Sequence, residues 1–239
     1  MSCLPRLYAI ADLHLPGGFN KTMDLFGDKW VDHVAKIEEN WRRKIKDDDL
    51  VLIAGDISWA MKLNEAKEDL VKISSWPGTK IMIRGNHDYW WQGIGKVRKI
   101  LPEGLLALQN DSYRFQNWFI CGTRGWKTPG SYDFKPEDER IYLRELERLK
   151  LSLQSRPPLE KDLKTIVMLH YPPFTEQGGA SGFVDLMQDY RVSACVYGHL
   201  HGRLTFRPVQ GLVEKISYHF VACDHLNFSP LLIDNSKGG

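Results

Sequence analysis

Short apolar runs recur along this chain, and through most of its length they alternate with stretches whose apolar residues return every three or four positions. Residues 8–11, 50–54, 80–83, 118–121, 165–169 and 194–197 are runs of strand length. Two more, 216–222 and 231–233, follow late with no helical pattern between them. Trp30, Val34, Ile37, Trp41 and Ile45 return at steps of four, three, four and four, which marks one apolar helix face. Leu63, Ala66, Leu70 and Ile73 repeat the pattern. A third helix carries Tyr142, Leu146, Leu149 and Leu153; Pro136 opens it, and Glu137, Asp138 and Glu139 fill its first turn, where acids complement the helix dipole.

Strands alternating with helices predict an α/β sheet whose functional loops gather beyond the strand carboxyl ends. The closing run of strands predicts a second sheet packed on the first. The Pro- and Gly-rich stretch 172–182 reads as a loop, and no repeat or long linker divides the chain. A length of 239 residues suits one well-buried core, so residues 1–239 are expected to form a single domain.

Composition narrows the class of partner. With 32 Lys and Arg against 30 Asp and Glu the net charge is +2, too small for a surface built to hold long nucleic acid. The densest basic stretch, Arg42, Arg43, Lys44 and Lys46, is answered at once by Asp47, Asp48 and Asp49. Cys3, Cys121, Cys195 and Cys223 show no paired spacing and read as reduced thiols. No basic-then-apolar leader is visible, and no apolar stretch approaches the roughly 20 residues that span a bilayer. The expectation is a cytoplasmic protein without a membrane partner.

Chemistry collects where the apolar runs stop. Five of the eight histidines lie in such places. The clusters are Asp12-Leu13-His14, Gly55-Asp56, Gly85-Asn86-His87-Asp88, His170 and Gly198-His199-Leu200-His201. They supply carboxylate oxygen, amide oxygen and imidazole nitrogen, a mixture suited to two borderline divalent ions rather than one structural zinc. Parallel strands end on one edge of a sheet, so clusters far apart in sequence converge there. Any one of these signals is common by chance; all five in this order, each at a strand end, are not.

The set resembles the calcineurin-like metallophosphoesterase superfamily, whose signature runs Asp-x-His, Gly-Asp, Gly-Asn-His-Asp or Glu, His, and Gly-His-x-His. The match spans residues 12–201. The resemblance implies a four-layer α/β/β/α sandwich of two mixed sheets flanked by helices, with the metal site at the strand carboxyl ends. It implies one metal on Asp12, His14, Asp56 and His201 and another on Asp56, Asn86, His170 and His199, with Asp56 bridging. Two aspartates against two divalent ions leave a surplus of about +2 for hydroxide and a phosphoryl group. His87 is then the group near the leaving oxygen, as general acid or electrostatic stabiliser, and Asp88 fixes its tautomer. Imidazole with carboxylate admits manganese, taken here first, and also iron, zinc, cobalt or nickel.

The implied activity is hydrolysis of a phosphodiester, phosphomonoester or pyrophosphate bond in a small or nucleotide-like substrate. Gly55-Asp56 continues Ile57-Ser58-Trp59-Ala60, without the Asp-Arg of the protein serine/threonine phosphatase branch, so a dedicated protein phosphatase is disfavoured. A nuclease and a non-catalytic scaffold on the same fold are the alternatives. Arg124 and Lys127 read either as phosphate contacts or as solvated loop cations, and Trp90, Trp91 and Trp126, beside Tyr89, either as residues that open a helix and pack into the core or as walls of the substrate pocket. His33 reads as a surface or edge residue; His219 and His225 are kept outside the site, though His225 with Asp224 could approach it from a loop.

Overall fold

The computed structural model describes residues 4–18, 23–157, 163–202 and 204–234, so Cys3 lies outside the described residues. The elements run β1 (Leu7–Ile10), α1 (His33–Lys44), β2 (Leu50–Ile53), α2 (Lys67–Ser74), β3 (Thr79–Met82), α3 (Ile94–Ile100), β4 (Leu105–Ala107), β5 (Tyr113–Phe115), β6 (Trp118–Thr123), α4 (Pro136–Gln154), β7 (Lys164–Leu169), α5 (Gly182–Asp189), β8 (Ala194–Tyr197), β9 (Gly211–Val213), β10 (Ile216–Phe220) and β11 (Leu231–Asp234). One sheet has the order β11-β1-β2-β3-β4 and the other β5-β6-β7-β8-β10-β9. In the first, β1 to β4 are parallel and β11 is antiparallel. In the second, β6, β7, β8 and β10 are parallel, with β5 and β9 antiparallel at the edges.

Strand alternation sorts the side chains into three apolar layers. Leu7 and Ala9 of β1 join Leu50, Leu52 and Ile81, and these meet Ile120, Ile166, Met168 and Val196 between the two sheets. Tyr8 and Ile10 face the other way, onto Ile37 and Trp41 of α1 and Leu70 and Ile73 of α2. On the far side, Cys121, Val167, Leu169 and Tyr197 pack under Leu149 and Leu153 of α4 and Phe183 and Met187 of α5. Helix, sheet, sheet and helix therefore stack in four layers, as expected. Among the described residues no helix is long and apolar enough to cross a membrane.

The late strands are placed differently from the sequence reading. They do not form a sheet of their own: β10 joins the second sheet beside β8, and β11 returns to the first beside β1. The second sheet begins instead with β5 and β6, in the middle of the chain. Strands β4, β5 and β9, three residues each, and helices α3 and α5, seven and eight residues, are additions. Elements that short complete no readable period.

Cys121, Cys195 and Cys223 are buried free thiols. Burial pushes Cys121 up to about 12 and raises Cys195 and Cys223 as well. Above about pH 9 the unfolded chain releases these protons while the folded chain keeps them, so stability falls as pH rises. Lys80, lowered to about 8 by burial and by the nearby Arg42, acts in the opposite sense but is one group against three. Between pH 9 and 10 each thiol is expected to remove roughly 1 kcal/mol. Thermal melts across that range should show the decline, and Cys121→Ala with Cys195→Ala should flatten it; an unchanged slope would refute this origin.

Candidate metal centre

Every cluster singled out in the sequence lies just past the carboxyl end of a strand. Asp12 and His14 follow β1, Asp56 follows β2, Asn86 and His87 follow β3, His170 follows β7, and His199 and His201 follow β8. The β1–β2 pairing continues beyond both strands: Asp12 N donates to Gly55 O, His14 N to Asp56 O and Leu15 N to Ile57 O, each at 3.0 Å. Asp12, His14, Asp56 and His199 have positive φ of 60°, 46°, 52° and 72°. That left-handed backbone turns each side chain away from the strand direction, and Asp and His are among the residues that tolerate it. Gly85 has no alternative: a Cβ there would fall 2.1 Å from Asp56 Oδ1 and 2.2 Å from Asp56 N.

The turns bring two overlapping groups of ligand atoms together. Asp12, His14 and Asp56 form one, and Asp56, His170 and His199 the other, each with its atoms within 4.8 Å of one another. Asp56 belongs to both: its Oδ2 is 3.7 Å from His14 Nε2 and 3.4 Å from His170 Nε2. Asn86 Oδ1 lies 2.7 Å from His170 Nε2, and His199 Nδ1 3.3 Å from it, so these donors point at one place. The His201 ring stands 5.1 Å from that of His14. Both ring nitrogens of His14 and Asp56 Oδ2 are buried without a hydrogen-bond partner. Orphaned polar atoms are costly in a protein interior, and a metal ion would satisfy the acceptor nitrogen of His14 together with Asp56 Oδ2.

The surroundings fix tautomer and aim. His170 Nδ1 lies 3.0 Å from Ala54 O, which leaves Nε2 directed at Asp56 and Asn86. The backbone N of His199 donates to Asp12, 3.0 Å from Oδ2, and that of His87 to Asp56 Oδ1 at 2.8 Å. His33 is buried, and its Nε2 sits 3.2 Å from the carbonyls of both Leu13 and His14. It buttresses the first cluster from beneath, contrary to the surface position expected of it. The sequence placed it between core positions of α1, a signal that was there to be read.

Charge in the site is strongly unbalanced. Burial, and then repulsion from Asp56, raises Asp12 well above the carboxylate range, against the pull of His170. Burial works on Asp56 in the same direction, but His170, His14 and His87 prevail and hold it well below. Burial opposes protonation of His170, yet Asp56 and Asp12 lift it to about 9. His14, lowered to about 3, and His199 and His201 are driven down by burial above all. Two sequestered carboxylates thus demand positive charge at the point where the imidazoles converge. A divalent cation meets that demand and uses the neutral imidazoles as ligands.

Several expectations give way. Asp88 does not orient His87: its carboxylate accepts from Ile57 N (2.8 Å), Ser58 N (3.2 Å), Gly85 N (2.7 Å) and Trp90 Nε1 (3.0 Å). It clamps the loops after β2 and β3 together, while His87 Nδ1 is buried without a partner. Trp90 and Trp91 are core residues, 0 % and 3 % exposed. Trp59, which the sequence did not offer for this role, stacks on His14 at 4.8 Å and lies 4.7 Å from His87. Arg124 pairs with buried Glu145 at 3.5 Å and lies over Trp126, and Lys127 pairs with Asp133 at 2.8 Å. His225 reaches Asp224 at 3.8 Å on a neighbouring turn, where Asp224 accepts from Gly202 N.

The model of the calcineurin-like phosphoesterase family matches residues 5–203, and the chain belongs to that family. No curated protein matches it in sequence. Among solved structures it is similar to phosphopantetheinyl hydrolase from Mycobacterium tuberculosis, with TM-score 0.59 and 15% identity over all of both chains. A protein of unknown function from Aquifex aeolicus gives TM-score 0.53 and 14% identity over 95% of each chain. The Plasmodium protein GAP50, described as the anchor in the inner membrane complex, gives 0.54 and 12% over 93% of this chain and 73% of that one. At such identities the likeness is one of fold.

Because Asp88 holds four donors, Asp88→Ala is expected to cost about 3 kcal/mol or more and to lower the melting temperature by roughly 10 °C. Metal affinity should fall with it, as calorimetric titration would read. A variant that melts normally and loses only turnover would return Asp88 to the role of orienting His87.

Proposed function

We propose that this member of the family is a dinuclear-metal phosphoesterase, in one domain, acting on a small or nucleotide-like phosphodiester, phosphomonoester or pyrophosphate. The observation that carries the reading is the shared Asp56, which belongs to both ligand groups and whose Oδ2 is buried and unpaired. Asp12, His14 and His201 would hold one ion with Asp56; Asn86, His170 and His199 would hold the other. When bound, two divalent ions, manganese first among those the ligands admit, lower the pKa of water and clamp phosphoryl oxygens. The chain's own residues bind and aim. Asp12 and Asp56 supply the only carboxylates of the set, so the site keeps a positive surplus for an anionic substrate.

His87 is held by its backbone bond to Asp56 and by its ring against Trp59, with no carboxylate behind it. In our reading it donates a hydrogen bond to the leaving oxygen and stabilises the charge that develops there. Diesters are favoured over monoesters, since Arg124 and Lys127 are engaged in ion pairs and offer no further grip on a dianion. We place the protein in a reducing cytoplasm, consistent with its buried free thiols. The scaffold alternative stays in view because the Plasmodium neighbour is described as an anchor. Against it stands a full set of ligands and His87 in this chain. A nuclease is disfavoured by the net charge of +2.

Manganese-dependent hydrolysis of bis(p-nitrophenyl) phosphate tests the reading, with Asp56→Asn expected to lose about 10²-fold or more. His87→Asn should keep both ions and lose roughly 10²-fold in kcat. Two ions bound without turnover of any diester, monoester or pyrophosphate would favour the scaffold, and normal turnover in His87→Asn would remove that residue from the reaction.

A further inference from the structure

Beside the ligand groups lies a recess of about 130 Å³ that opens onto His199 and Tyr171. Tyr171 joins it to the centre: its ring is 4.0 Å from that of His199 and 5.5 Å from that of His170. A phosphoryl group held by the second ligand group therefore has this recess as its neighbour. The wall is preorganised. Tyr171 rests on Trp126 at 5.0 Å, Trp126 Nε1 donates to Asp138 at 2.8 Å, and Arg124 covers the Trp126 ring at 4.4 Å.

Volume and charge together select the occupant. At about 130 Å³ the recess falls below the roughly 300 Å³ at which pockets for drug-sized ligands begin. It takes one small group, not a base with its sugar. Among the described residues its charged lining is Lys127, Asp133 and Glu176. A second phosphate would meet two carboxylates, and an ammonium would meet Lys127, already fixed by Asp133 at 2.8 Å. A neutral hydroxylated group meets neither penalty: its hydroxyls donate to the carboxylates and accept from the Ser131 hydroxyl. Phe174 and Phe206, also in the lining, offer apolar surface to the C–H face of such a group.

We propose that the recess seats a neutral, sugar-like polyol attached to the phosphoryl group, held by Asp133 and Glu176. This deepens the phosphoesterase reading and rests on it, since that reading supplies the phosphoryl group. Calorimetric titration of the manganese-loaded protein with methyl phosphate, ribose 5-phosphate, phosphocholine and phosphoglycolate, with release of inorganic phosphate followed alongside so that heat of binding is separated from heat of hydrolysis, tests it through affinity. Ribose 5-phosphate is expected to bind about tenfold tighter than methyl phosphate, roughly the gain of one well-made hydrogen bond to a charged group. Asp133→Asn and Glu176→Gln, both on accessible side chains, should each bring that ratio towards one. Equal affinity for the two, tightest binding of phosphocholine or phosphoglycolate, or no binding of any of the four overturns the polyol site. Hydrolysis of bis(p-nitrophenyl) phosphate decides the underlying phosphoesterase reading separately, so the two failures are distinguishable.

Discussion

A short hydrogen-bonded seam holds the two sheets in register, and the site exists because of it. Apolar packing between sheets is non-directional and would tolerate sliding. At the end of β1, however, Ala11 N donates to Val221 O at 2.8 Å and Ala11 O accepts from Cys223 N at 3.0 Å. Cys223 Sγ then lies 3.0 Å from Asp12 O, and His199 N donates to the Asp12 carboxylate. Gly198 lets the backbones come this close, since a Cβ there would fall 2.4 Å from that of Ala11. The seam therefore brings the carboxyl ends of β1 and β2 from one sheet against those of β7 and β8 from the other. Asp56 and His170 meet across it.

What could be read from the sequence was local, and what could not was relational. The strand-end clusters declared themselves because an apolar run followed by Gly and a polar residue is a pattern of a few positions. The central strands and the three strongest helices were legible for the same reason. The late strands were not, because adjacency in sequence suggested a shared sheet while the pairing of β11 with β1 is a contact across the whole chain. Asp88 misled in the same way. It stands next to His87 in sequence, but its carboxylate turns back to the loop after β2, 31 residues away. His33 carried a readable anomaly, a polar ring among core positions, but its partners at Leu13 and His14 belong to a different element.

The centre also shows how strain and charge are distributed together. Four of the residues whose side chains converge, Asp12, His14, Asp56 and His199, have left-handed backbone. Each such position costs on the order of 1–3 kcal/mol unless its surroundings hold it. Here the holding is visible, in the continued β1–β2 pairing, the Asp88 clamp and the His33 buttress. The burial that makes the aspartates repel one another also excludes water, which strengthens any cation they share. Rigidity and electrostatic demand thus come from the same packed loops.

The Asp12–His199 contact spans 187 residues, and its consequence lies in the order of events during synthesis and folding. Closing so long a loop is entropically costly, and contacts of that separation form slowly. Until β8 has docked, Asp12, His14 and Asp56 can assemble as the first ligand group, but the second lacks His199. The two groups are thus completed at different stages, unlike the single zinc site of a small finger domain, which forms together with its fold. The second group is complete only once its distant strand ends have met, so a partly folded chain offers a cation fewer donors than the finished one.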